Sequence, residues 1–168
     1  MRLEADSPKI FHALGRFLAP EALEEVATYY QQAARLGGNT EPKQRREQGV
    51  SFNPRIARVL SILIHDCSIT DLLTIKSAIR ASVMEQGVEL REVSASLEAL
   101  EPLSEQRMAL VRGALALDTV RHLHQCRYSS DETSQILARA ERLLETLEGE
   151  ALALKLRHAI GLQRRVLG

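Results

Sequence analysis

PRIARVLSILIHDCSITDLLTIKSAIRASVM, residues 54–84, decides the fold class because it holds two amphipathic helices joined by a short turn. Apolar side chains recur every three or four residues on both sides of the segment CSIT, which is the spacing of one helix face. The first helix follows Asn53-Pro54 and ends near His65 and Asp66, and Thr70 is the predicted N-cap of the second. The apolar positions are Ile56, Val59, Leu60, Leu63 and Ile64, then Leu73, Ile75, Ala78, Ile79 and Val83.

The rest of the chain has the same helical character. Strong helix formers are plentiful, and aromatic residues, which favour strands, make up only 4% of the 168 residues. Ser7-Pro8 marks the start of a first helix, a second runs from Pro20 to Leu36 and is stopped by Gly37-Gly38, and a short helix holds Val93, Leu97 and Leu100. Ser104 caps a longer helix that extends from Met108 to about Cys126. A capping box of Ser129 and Glu132 opens a helix that ends at Glu148, and a last helix follows Gly149. We predict one all-α domain over residues 1–168, a bundle of about seven helices.

Composition argues against several classes of partner. The 22 basic residues are balanced by 22 acidic ones, so no net positive field is available to hold nucleic acid or an anionic membrane surface. No apolar run is long enough to span a bilayer, and residues 1–6 lack the layout of a signal peptide, so we expect a cytoplasmic protein. The two cysteines form no CxxC pair, which argues against a zinc knuckle or a disulfide framework.

The C-terminal helical hairpin, residues 130–167, carries unusually wide apolar stripes. Their members are Ile136, Leu137, Leu143, Leu144, Leu147, Leu152, Leu154 and Leu156. Burial in the core is the first interpretation. A wide stripe on a terminal hairpin also suits a symmetric homodimer, which is the partner that we would test first.

A histidine and an aspartate at the end of an apolar helix, His65 and Asp66, raise the hypothesis of a metal site. Asp118 and His122 lie four residues apart on a predicted helix and so share a face, where they could complete the set of ligands. Manganese or another divalent ion would then be the cofactor, with Glu85 as the acid or base. The alternative is that His65 and Asp66 form an ordinary polar helix end.

The segments RREQGVSFNPRIARVLSIL, residues 45–63, and TDLLTIKSAIRASVMEQG, residues 70–87, carry a family resemblance. They resemble the HD-superfamily phosphohydrolases, in particular the hydrolase domain of the alarmone synthetase/hydrolase family. The matching positions are Arg46, Gly49, Phe52, Pro54, Ala57, Leu63, Asp71, Thr74, Ile75, Ala78, Ile79, Val83 and Glu85. The resemblance extends over about residues 25–125 and implies an HD-like helical domain.

The resemblance also implies that the family's metal site is lost. Asn53 stands where the family has its first metal-binding histidine, and Ala81-Ser82 stand where it has the His-Asp doublet. Asp118 matches the family's last ligand. Glu85 matches the first member of the family's acidic pair, and Gln86 stands at the position of the second. In the same alignment, His65-Asp66 fall in the turn between the two helices. With most ligands absent, the resemblance predicts no cofactor and no catalysis by the family's mechanism.

The leading hypothesis is therefore a non-catalytic HD-like module that binds a nucleotide, a protein or a second copy of itself. Its ligand would contact the positions of the family site, which are Arg46, Asn53, Ala81, Ser82, Glu85 and Asp118. Two alternatives remain. One is an active metal-dependent nucleotide phosphohydrolase that uses His65, Asp66, Asp118 and His122, and the other is a helical adaptor unrelated to the family.

Overall fold

The computed structural model describes residues 14–37, 54–85, 100–123 and 128–167. Within these ranges the regular secondary structure is entirely helical: α1 Pro20–Gly37, α2 Pro54–Cys67, α3 Leu72–Met84, α4 Glu105–Arg121, α5 Ser130–Thr146 and α6 Ala151–Leu167. The all-α prediction is confirmed for this part of the chain. The helices predicted after Ser7-Pro8 and around Val93 and Leu97 lie outside the described residues, so the count of seven stays a prediction. Over the same ranges, no helix is both long and apolar enough to cross a membrane.

The chain divides into two compact units, Met1–Leu103 and Ser104–Gly168. In the first unit, α3 packs against both α1 and α2. In the second unit, α4, α5 and α6 all contact one another and form a three-helix bundle. That residues 1–168 make a single domain stays a prediction.

The core of the first unit comes largely from the stretch that follows Pro54. Its helix-spaced apolar residues are buried: Ile56, Val59, Leu60 and Leu63 on α2, and Ile75, Ala78, Ile79 and Val83 on α3. The predicted turn at CSIT is also present. Ser68 adopts a left-handed φ of 55°, and the Ile69 amide donates to the Leu63 carbonyl at 3.0 Å, which brings the Ile69 side chain back into the core.

Helix α3 begins one residue later than predicted. Asp71, not Thr70, is the N-cap. Its Oδ2 accepts a hydrogen bond from the Thr74 amide at 3.0 Å and another from Thr74 Oγ1 at 2.5 Å. A carboxylate at this position accepts both bonds and also offsets the positive end of the helix dipole, which a threonine hydroxyl does not do.

The N-terminal caps of the second unit follow the prediction. Ser104 Oγ accepts from the Arg107 amide at the start of α4. At the start of α5, Ser129 and Glu132 form the predicted capping box, with 3.1 Å for both hydrogen bonds.

Helices α4 and α5 of the second unit end earlier than predicted. Helix α4 was expected to continue to about Cys126, but it ends at Arg121. The Asp118 carbonyl, which would accept the His122 amide in a continuing helix, accepts the His122 ring Nδ1–H at 2.8 Å instead. The His122 amide turns to Thr119. Helix α5 ends at Thr146 rather than Glu148, and Gly149, at a left-handed φ of 85°, separates it from α6 as predicted.

Candidate functional site

The two positions that the proposed resemblance aligns with the family's His-Asp doublet, Ala81 and Ser82, lie near the end of α3. Ala81 is half-buried and offers only a methyl group. Ser82 is fully buried, and its Oγ donates to the Ala78 carbonyl one turn earlier, at 2.9 Å. The one polar side chain of the pair is therefore directed at the backbone of its own helix and has no exposed surface for a ligand.

Glu85, which the proposed resemblance aligns with the family's acidic pair, is the C-cap of α3. Its half-exposed carboxylate forms an ion pair with Arg55 at the start of α2. The pair links the ends of two packed helices. Glu85 therefore has a structural partner, and a role as acid or base would require it to leave Arg55.

The remaining positions of the predicted binding set are Arg46, Asn53 and Asp118. Arg46 and Asn53 lie outside the described residues. Asp118 belongs to the second unit, on α4, and its side chain is buried. As predicted, Asp118 and His122 share a face: Asp118 Oδ1 lies 3.4 Å from His122 Nδ1. Because a carbonyl oxygen can only accept, Nδ1 carries the proton of the hydrogen bond to the Asp118 carbonyl.

The pair that suggested a metal site, His65 and Asp66, occupies the last turn of α2. His65 is exposed and Asp66 is half-buried. The predicted position of this pair at the end of a helix is confirmed, and its role stays a hypothesis. Among the described residues, no three His, Cys, Asp or Glu side chains gather closely enough to hold an ion. His65 and Asp66 belong to the first unit, and Asp118 and His122 belong to the second.

Sequence reasoning missed a charged cluster between α1 and α3. Lys76 is almost completely buried, and its Nζ lies 2.6 Å from Glu25 Oε1 and 5.1 Å from the centre of the Tyr29 ring. The carboxylate and the ring face both compensate the buried ammonium group. The signal in the sequence was a lysine set directly between buried apolar positions, in the segment LLTIKSAI.

Arg80 lies one helical turn after Lys76. Burial raises the pKa of the Tyr29 phenol, and the nearby Arg80 guanidinium partly opposes that shift. The Arg80 side chain is half-buried, and its Nε is buried with no hydrogen-bond partner in the described part of the chain. Buried donors are normally satisfied, so this N–H is a candidate for binding a ligand.

The comparisons with known proteins add no relative to this picture. No protein-family model, curated protein or solved structure matches the chain. The resemblance to HD phosphohydrolases is therefore a hypothesis carried by the residues quoted for it. What this chain can bind or catalyse is therefore inferred from the side chains that the structure describes.

Proposed function

We propose that the chain is a non-catalytic, HD-like helical module that binds a nucleotide through its phosphate groups. The observation that carries the proposal is Ser82, whose hydroxyl is fully buried and bonded to the Ala78 carbonyl at the doublet position. Water activation by a metal requires anionic or imidazole donors that converge on the ion. Ala81 and Ser82 supply neither. The proposal includes a cytoplasmic location.

The phosphate-binding part of the proposal is supported by Arg80, directly before the doublet positions. An arginine guanidinium is planar and always charged, and its N–H groups match two phosphate oxygens. The Arg80 Nε–H has no acceptor among the described residues, and phosphate would provide one. Lys76 adds a second positive charge one turn away, although Glu25 largely neutralises it.

Nucleotide binding should appear as a rise in melting temperature that depends on Arg80. At a ligand concentration 100 times the dissociation constant, we expect about 2.7 kcal/mol of added stability. The probes are guanosine 5′-diphosphate and inorganic pyrophosphate, followed by differential scanning fluorimetry. Arg80→Gln should remove the shift, whereas Arg112→Gln, which changes an exposed arginine of α4, should keep it.

Two results would contradict this assignment. One is the absence of any shift with either probe at millimolar concentration. The other is an equal shift in wild type and Arg80→Gln, because the phosphate would then bind elsewhere. A shift with pyrophosphate alone would retain the phosphate site and remove the nucleoside from the proposal.

A second candidate function is a metal-dependent nucleotide phosphohydrolase. The buried Asp118 beside His122 favours it, because a carboxylate and an imidazole on one face are suitable ligands for a divalent ion. It requires further ligands, for which His65 and Asp66 are the candidates, with Glu85 as acid or base. Bound manganese separates this function from the proposed one.

A further inference from the structure

Helix α6 carries large apolar side chains on its outer face. Leu154 is 66% exposed, Leu162 is 44% exposed and Val166 is 77% exposed. The three follow the i, i+4 row of the helix, with His158 between the leucines. The opposite face is the one that enters the core, through Leu152, Leu156, Ala159 and Ile160. The expectation that Leu154 belongs to the core is therefore wrong, because it points away from the bundle.

The same outer face contains a glycine that the bundle itself does not require. Gly161 lies seven residues after Leu154, two turns along the face. A Cβ added there would meet nothing within 4 Å. Glycine inside a helix costs about 1 kcal/mol relative to alanine. A missing side chain on the outer face of α6 does, however, allow another helix to approach closely.

Charges of opposite sign flank Leu154. On one side, a groove of about 770 Å³ is lined by Glu145, Glu148 and Glu150, together with Arg157. On the other side, a groove of about 420 Å³ is lined by Arg121, Lys155 and His158. Leu154 borders both grooves. Acidic residues thus cluster near the N-terminal end of α6, while basic residues lie along it and in its last turn, which includes Arg165.

We propose that the outer face of α6 binds the same face of a second copy of this chain, with the two helices antiparallel about a two-fold axis. In this arrangement Leu154 packs over Gly161 of the second copy, and Glu148 and Glu150 face the basic end that holds Arg165. A two-fold axis makes both contacts occur twice. The acidic end and the basic end of the face are complementary to each other in this orientation, which argues for a second copy over another protein. The two copies of Arg157 lie near the axis, where their like charges oppose the contact and lower its affinity.

The size of the face sets the expected affinity. A helix of 17 residues is roughly 25 Å long. Its outer face is smaller than the roughly 800 Å² per partner of a standard stable interface. We therefore expect a reversible dimer with a dissociation constant on the order of micromolar. This dimer does not depend on nucleotide binding, and the two proposals can fail separately.

Sedimentation velocity from about 1 to about 300 μM, which brackets a micromolar dissociation constant, tests the contact. Wild type should shift from monomer to dimer across this range. Leu154→Glu and Gly161→Gln should stay monomeric throughout this range. The glutamine side chain fills the gap at Gly161, and because glutamine has a higher helix propensity than glycine, α6 itself is not weakened. Met84→Glu is the matched control, because Met84 is 43% exposed and Leu162 on the proposed contact face is 44% exposed. Met84 lies on α3, outside that face, so this variant should dimerise like wild type.

Exchange of charges tests the orientation. Glu148→Lys and Arg165→Glu should each weaken self-association by at least tenfold, and a mixture of the two variants should restore a dimer because opposite charges meet again. A wild type that is monomeric at every concentration overturns the proposal, even if the face binds some other protein. Unchanged dimers of Leu154→Glu and Gly161→Gln also overturn it. A dimer that the charge exchange leaves unaffected overturns the antiparallel arrangement.

Discussion

Ser82→Asp should destabilise the protein by about 3–5 kcal/mol at pH 7, the range for a buried charge without a partner. Ser82 is fully buried, and its Oγ bonds to the Ala78 carbonyl, which cannot donate to a carboxylate. The substitution introduces the aspartate that the HD family would have at this position if the proposed resemblance holds. In a protein with the family's metal site, that aspartate would be stabilised by the ion.

The loss of stability in Ser82→Asp should depend on pH, and urea denaturation at pH 7 and pH 4 measures this dependence. Burial raises the pKa of the introduced carboxyl above its value in the unfolded chain. The folded state then binds more protons, so stability falls as pH rises from the unfolded pKa through the folded one. The loss should be smaller at pH 4, and Ser82→Asn, the uncharged control, should show little difference between the two pH values. A Ser82→Asp variant that manganese restores to wild-type stability would contradict the account.

Gly113→Val should destabilise the second unit by about 1–3 kcal/mol, the range for an overpacked core. Gly113 lies on α4, where a Cβ would come within 2.8 Å of one methyl group each of Leu147 and Leu152. Both leucines are fully buried, so their methyl groups would have to shift within the core to admit the larger valine side chain. The gain in helix propensity from glycine to valine is only roughly 0.3 kcal/mol, so packing decides the sign.

A second helical glycine supplies the matched control for Gly113. A Cβ at Gly161 meets nothing within 4 Å. Gly161→Ala should therefore stabilise the monomer by about 0.5–1 kcal/mol, measured by urea denaturation at low protein concentration. If Gly113→Val left the midpoint unchanged, the close packing of α4 against Leu147 and Leu152 would be wrong.

The helices were predictable because local signals and burial agree. Between Pro54 and Met84, apolar residues spaced three and four apart are the buried ones. Ser104 and the Ser129-Glu132 box mark helix starts by contacts within four residues. The end of α4 was not predictable from such patterns, because it depends on how the His122 ring competes with its own amide for the Asp118 carbonyl.

The candidate site was predictable only in part. The shared face of Asp118 and His122 follows from helix geometry alone. The burial of Lys76 depends on Glu25, which lies on another helix 51 residues away in sequence, and on Tyr29. The local segment LLTIKSAI indicates that Lys76 lies among apolar residues, but it does not reveal these partners. The prediction that Leu154 is buried in the core was wrong for a similar reason, because a wide apolar stripe does not reveal which of its members face outward.

The central claim is the proposal that Asn53, Ala81, Ser82 and Asp118, which the proposed resemblance aligns with the HD ligands, do not hold a catalytic metal. The most direct test is the manganese, iron and zinc content of the purified protein, measured by inductively coupled plasma mass spectrometry after gel filtration. We predict far less than one ion per chain, with no difference between wild type and Asp118→Ala. One tightly bound ion per chain that is lost in Asp118→Ala would contradict the claim and establish the metal site instead.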